Sequence, residues 1–359
     1  MMEKKLTIHQ PSRTRRTLIK AGIAAAALGA PMVRAQARQR VIVRSLGGAY
    51  DEAMKQAIHG PFTEATGIEV VLQTASAGQV RAMVQAGRAM DVVDIGLPSL
   101  YSFDADGLLA PLNYDGMTYT NPADIYEAVR KPNFTGNLYF ATVLVYNTQV
   151  FSTENHPRTW AEFWDIEKFP GSRTIASQSA GSVPLEFAVL AAGGSMDKIY
   201  PIDIEHAFGS LSKVKPAVVK WWETGAISAQ LLERKEAVLG AIWSGRAQDL
   251  IDKGAPLAIE WNQARREVQG FAVLKGAPNA ENAQKYVDFA MQPKVQAEIA
   301  KYIAYGPTNR EAMQYVAKEN AQKLPSEPEH YRNSFDMDYA WWLENLSAVG
   351  RRWQSWVLG

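Results

Sequence analysis

Residues 176–187 read ASQSAGSVPLEF, a run of small, hydroxylated and uncharged side chains that turns apolar at Leu185. It lies between Arg173-Thr174-Ile175 and an apolar run from Leu185 to Ala192, so it reads as a loop between strand and helix whose backbone a ligand can approach. Ser182 as N-cap and Pro184 in the first turn would start that helix, where free N–H groups and the helix dipole favour an acceptor or an anion. The chemistry on offer is recognition through amides and hydroxyls. Motifs for covalent or phosphate chemistry are missing: there is no GxxxxGKS/T, no HExxH and no GxSxG, and Leu46-Gly47-Gly48 is only a fragment of GxGxxG. His9, His59, His156, His206 and His330 are scattered with no short-range pair at metal spacing, and each reads as a surface or capping residue. With no cysteine in the chain, thiolate metal sites and disulfides are excluded.

Such a loop needs strands and helices to hold it. VIVRSLGGAY (Val41 to Tyr50) reads as a strand stopped by two glycines, followed by a helix from Tyr50 to Thr66 that Gly67 ends. IEVVL (Ile68 to Leu72), a helix from Gln79 to Arg88 and VVDIGLP (Val92 to Pro98) continue the alternation, which indicates βαβ units and a mainly parallel sheet. Ligands of such sheets sit beyond the carboxyl ends of the strands. The loops Leu46–Tyr50, Ala75–Gln79 and Leu97–Tyr101 therefore nominate Gly48, Tyr50, Ser76, Ser99 and Tyr101, although ordinary βα turns use the same residue types. LYFATVLV (Leu138 to Val145) reads as a crossing to a second lobe. That lobe has helices near Asp203–Val214 and Ala217–Trp222, a strand Val238–Trp243, a helix Arg246–Asp252 and the run Leu257–Trp261. VQGFAVLKGAPN (Val268 to Asn279) reads as a separate strand returning to the first lobe. At the end, Trp342, Leu346, Val349, Trp353 and Trp356 form one apolar stripe and predict a docked terminal helix. Asp51, Asp94 and Glu260 fall near strand ends or loops, with their orientation open, and Trp261-Asn262-Gln263 is either a cleft rim or a packed strand end.

A chain of 359 residues is long enough for two substantial cores. Its first 37 residues differ from the rest. Paired arginines in TRRTLIK precede AGIAAAALGAPMV, too short to span a bilayer of about 30 Å, and then Ala35-Gln36-Ala37 offers a cleavage site. This reads as a twin-arginine export signal to the periplasm. The segment holds seven basic residues and one acidic, so of the chain's 38 basic and 37 acidic residues the remainder keeps 31 and 36, a net charge of −5. A mildly acidic body disfavours nucleic-acid binding.

Six segments in order, GGAYDEAMKQAIHGPFTEATGIEVV, DVVDIGLPSLYSFDADGLLAPL, VLVYNTQVF, TWAEFWDIEKFPGSRTI, AVLGAIWSGRAQDLIDKGAPL and YIAYGPTNREA, resemble the periplasmic solute-binding proteins of ABC importers, and among these the spermidine/putrescine-binding type. The resemblance implies an α/β fold of two lobes, type II-like, with hinge-crossing strands and a ligand cleft between the lobes. Residues 38–148 with 267–306 are expected to form lobe 1, and residues 149–266 with 307–359 lobe 2. It further implies a monomeric periplasmic receptor that closes on a small solute and is read by the permease's transmembrane subunits, with no cofactor, no metal and no catalysis. Carried onto this chain, Ser99 and Tyr101 supply a hydroxyl and a ring, and Trp243 an aromatic wall. The carboxylates of polyamine binders do not carry over: the loop offers Gln178, Ser179 and Ser182, and Gln269 stands near where another acid would be. A buried ammonium without a partner is costly, whereas Arg246, two residues after Ser244, is either a partner for a carboxylate or a surface arginine at a helix start. The expected cargo is a polyamine-like amine or, better matched, a zwitterion such as a linear amino acid. A ferric-iron receptor of the same fold, here lacking adjacent tyrosines, and an exported enzyme are the alternatives.

Overall fold

The computed structural model describes residues 39–181 and 183–359, so the segment expected to be an export signal and the Ser182 side chain lie outside the described residues. Ten strands form one sheet: β1 (Arg40–Ser45), β2 (Glu69–Thr74), β3 (Val92–Gly96), β4 (Thr135–Asn147), β5 (Arg173–Ala176), β6 (Val218–Trp222), β7 (Leu239–Trp243), β8 (Leu257–Val273), β9 (Gly306–Pro307) and β10 (Ser334–Asp336). Their order is β2-β1-β3-β8-β4-β7-β5-β6, with β9 added to β4 and β10 to β8. Parallel βα units build each end, as the alternation of strand and helix predicts: β1 pairs with β2 and β3, and β5 pairs with β6 and β7. The middle is antiparallel. There β4 and β8 run together from Thr135 opposite Phe271 to Asn147 opposite Leu257.

This shared pair threads two hydrophobic cores. One gathers Val41, Val43, Phe62, Val92, Phe271 and Tyr286; the other gathers Trp160, Phe163, Phe187, Leu239, Trp342 and Trp356. A third cluster, with Val143, Trp222, Ile242 and Leu250, fills the opposite face of the second half. The terminal helix Tyr339–Leu358 lays Trp342, Val349, Trp353 and Trp356 into the second core, each buried, with Leu346 half-buried beside them, so the predicted stripe is a packed face. Full burial of residues this large contributes about 2–3 kcal/mol apiece before entropy is counted.

Several local expectations are corrected. Ala217–Trp222 is not a helix: Val218-Val219-Lys220-Trp221-Trp222 forms the edge strand β6, because β-branched and aromatic residues fit a pleated surface paired to β5. Leu97–Tyr101 is not a loop but the start of the helix Leu97–Ala105, with Pro98 in its first turn. The helix expected at Ser182 is Leu185–Ala191, with Pro184 at the N-cap position and no side-chain cap. The two strands expected at 257–261 and from Val268 are one strand of 17 residues. His59 and His156 are buried rather than surface residues, packed on Tyr286 and Tyr146. Thr308 to Arg310 remain with the first core, where Gln296, Met291 and Asp124 hold them, so the chain does not leave that core at residue 307.

Candidate functional site

The β1 end is locked before it meets anything else. The Asp51 carboxylate accepts from the Ser45 hydroxyl at 2.5 Å and the Leu46 amide at 3.0 Å. This fixes a turn in which Gly47 and Gly48 both take positive φ, +76° and +61°. A Cβ on Gly48 would stand 3.2 Å from Arg246 Nη1, so glycine serves here both backbone conformation and close approach. Arg246 comes from the far half of the molecule, two residues into the helix Ser244–Asp252 that follows β7. Its Nη2 donates to the Gly47 carbonyl over a long 3.4 Å, and its buried Nε has no hydrogen-bond partner among the described residues.

Around this contact lies an aromatic cluster. Trp243 meets Phe140 edge-on at 5.8 Å and Trp222 at 5.1 Å, and Phe140 also meets Tyr305, which lies 6.4 Å from Tyr50. Trp243 remains partly exposed while Trp222 is fully buried behind it. Burial raises the Tyr305 hydroxyl to about 12, and the neighbouring Arg246 charge works against that rise while Glu267 adds to it.

Asp94, at the end of β3, is the acid of the first half. Its carboxylate accepts from the Tyr50 hydroxyl at 2.7 Å and from Gln269 Nε2 at 2.9 Å, and Arg44 donates to its backbone carbonyl. Burial lifts the Asp94 carboxyl from 3.8 to about 7, against the pull of those hydrogen bonds and of Arg44. A second acid, Glu267, stands opposite Phe140 in the β4–β8 register, on the same face of the sheet. It accepts from Thr142 at 2.5 Å and from Arg265 at 3.1 Å, and Arg265 also holds Glu186 at 2.7 Å. Glu186 is fully buried and further accepts from Tyr200 at 2.6 Å and Trp342 Nε1 at 2.7 Å. Burial raises the Glu267 carboxyl, with the Arg265 charge opposing.

The structure thus brings together Gly48, Tyr50, Trp243, Arg246 and Gln269 of the residues singled out in the sequence. The others lie elsewhere or have other work. The Ser76 hydroxyl caps the helix Ala77–Gln85 in a reciprocal pair with Gln79. Tyr101 packs on Phe134 and, nearly parallel, on Tyr339 at 5.9 Å. Ser99 is half-buried in the first helical turns, and Ser179 is exposed in a short 3-10 turn, Gln178–Ala180. Among the uncertain acids Asp94 joins the cluster, Asp51 locks the β1 turn, and Glu260 pairs with His156 at 3.2 Å. Trp261 stacks on His330 from the interior of β8, so Trp261-Asn262-Gln263 is a packed step within the strand and not its end. Sequence reading missed Glu267 and Phe140, because β8 and β4 are buried almost throughout around them and no alternation marks either residue. Among the described residues no cluster of three His, Cys, Asp or Glu is placed to hold a metal ion.

An aromatic-lined cluster with one guanidinium and two carboxylates offers a small solute a cation, anions and flat apolar faces at one place. Comparison with known proteins gives the same picture. Residues 57–326 match the model of the bacterial extracellular solute-binding proteins. A gamma-aminobutyric acid-binding protein of Pseudomonas aeruginosa is 29% identical over 327 residues, 89% of this chain and 91% of that one. The spermidine/putrescine-binding periplasmic protein of Escherichia coli is 25% identical over 271 residues, 72% of this chain and 76% of that one. A crystal structure of an ABC transporter substrate-binding protein from Bradyrhizobium japonicum superposes with a TM-score of 0.83 at 33% identity, covering 89% of this chain and 99% of the other.

Proposed function

Since the chain belongs to the bacterial extracellular solute-binding proteins, as the substrate-binding component of an ABC transporter that captures a small polar organic solute, we propose that its solute is a zwitterionic, linear amino carboxylate of the γ-aminobutyrate type. The observation that carries this reading is Arg246: a buried guanidinium reaches across to the Gly47–Gly48 turn and stands among aromatic rings. A fixed cation at that point repels a polyamine and attracts a carboxylate. The alkyl chain of the solute lies against Trp243, Phe140 and Tyr305. Its ammonium points toward the carboxylate side of the pocket, where Asp94 and Glu267 are found.

Arg246 and the Gly47–Gly48 turn belong to different halves, so a solute that touches both favours the arrangement in which they meet. That is the physical basis of closure around cargo, and of a permease distinguishing the loaded receptor from the empty one. In this reading the protein works in the periplasm as a monomer, exported by the N-terminal segment, and delivers its solute to the transmembrane subunits.

Calorimetric titration with γ-aminobutyrate and with spermidine tests the proposal. Wild type is expected to bind the amino acid and to ignore the polyamine. Arg246→Met removes the carboxylate's partner and should weaken binding by about 2–5 kcal/mol, or at least 30-fold. Tight spermidine binding, or a variant that binds γ-aminobutyrate as well as wild type does, would refute it.

A further inference from the structure

Asn137 is the residue in the first half whose chemistry the fold leaves unused. It occupies the irregularity in β4 where the register with β8 shifts between Gly136 and Leu138, so it has no paired residue opposite it. Its side chain is 1% exposed, and no hydrogen bond of ordinary geometry reaches Nδ2 or Oδ1 among the described residues. Buried amides are nearly always satisfied, because an unmet buried donor or acceptor costs more than a hydrogen bond contributes. Bulges are over-represented beside binding and active sites, where they re-aim a side chain. The residues flanking Asn137 in the register face Gly270 and Gln269, and Gln269 is the residue that donates to Asp94. Asn137 stands beside the Tyr50 hydroxyl, where its amide acts as a hydrogen-bond donor that pulls the Tyr50 hydroxyl down against the rise from burial, which leaves Oδ1 as the group still to be met. Asp94, Tyr50, whose proton is given to Asp94, and Asn137 therefore stand together, and of their oxygens Asn137 Oδ1 is the one that no donor meets among the described residues.

We propose that Asn137, aimed by the β4 bulge beside Asp94 and Tyr50, is a specificity-determining residue that accepts a hydrogen bond from the solute's ammonium group. The inference deepens the zwitterion reading by assigning the amine end. A primary ammonium has three N–H donors, and three acceptors of differing charge match it better than one carboxylate does. A quaternary ammonium or an amine-free carboxylate leaves Asn137 unsatisfied and is rejected on that account.

The test compares wild type with Asn137→Leu, a substitution of similar size without polar atoms, against γ-aminobutyrate, butyrate and spermidine. The amide's one polar neighbour given by the fold is Tyr50, and Oδ1 has none, so the empty variant should melt close to the wild-type temperature; a marked drop would mean the amide is used within the fold and would overturn the proposal. The variant should bind γ-aminobutyrate about 10- to 100-fold more weakly while its affinity for butyrate stays the same. Equal affinity of variant and wild type for γ-aminobutyrate overturns the role of Asn137 and leaves the zwitterion reading intact. Binding of spermidine alone, weakened in the variant, refutes the zwitterion reading and supports Asn137. Binding of butyrate alone refutes both. Asn137→Asp, which keeps the acceptor and adds charge, should restore γ-aminobutyrate binding to within about threefold of wild type; failure to do so argues that the acceptor is not what the solute uses.

Discussion

Asp94→Asn isolates the electrostatic state of the pocket. Burial lifts the Asp94 carboxyl from 3.8 to about 7, and at about 1.4 kcal/mol per tenfold change in proton affinity this corresponds to about 4 kcal/mol. The sign follows from which state holds the proton more tightly. The folded state does, so the group's contribution to stability is fully present below about pH 3.8 and is lost as the pH rises through about 7. Asparagine removes the buried charge while keeping both hydrogen bonds, because its oxygen can accept from Tyr50 and Gln269 can turn its amide over to accept from the new N–H group. Urea denaturation of the empty protein should show the variant about 2–4 kcal/mol more stable than wild type at about pH 8, with the gap closing by about pH 4. A gap that does not change with pH would refute this account of Asp94. The same logic applies to binding: an ammonium beside Asp94 favours its ionised form, so wild type should release a proton on binding an amine near pH 7 and lose affinity below it.

Two further perturbations probe the walls and the support. Trp243→Ala should weaken solute binding by about 1–3 kcal/mol, or about 5- to 150-fold, by removing the ring that faces Phe140; unchanged affinity in a fluorescence titration would remove Trp243 from the pocket. Glu186→Leu leaves the Tyr200 hydroxyl and Trp342 Nε1 without their buried acceptor and takes one carboxylate from Arg265. It should destabilise the fold by about 3–5 kcal/mol, read as a lower denaturation midpoint, and a shift under about 1 kcal/mol would show that the network matters little.

What the sequence made legible was periodic or local. The terminal stripe needed only helical geometry to be read as a packed face, and Arg246 was visible because only two residues separate it from the last residue of an evident strand. Orientation was not legible. Asp51, Asp94 and Glu260 look alike on paper, and only the sheet decides that Asp94 turns inward while Glu260 meets His156. The Glu186–Arg265 pair joins residues 79 positions apart, beyond any local pattern. The continuity of β8 was hidden by Asn262-Gln263, a polar step at which Gln263 takes φ +62° without ending the strand. β6 was missed because Pro216 and the mixed run after it carry neither a clean helical nor a clean alternating signal.

The continuity of β4 and β8 has a mechanical consequence. The chain passes between the two cores along these adjacent strands and again in the stretch that ends with β10 beside β8. Three tethers along one seam suppress sliding and twisting of either half against the other and leave flexing about the seam as the soft coordinate. Under the closure proposed above, a receptor wired in this way would report occupancy as a single angle, which is the simplest quantity a membrane partner can read.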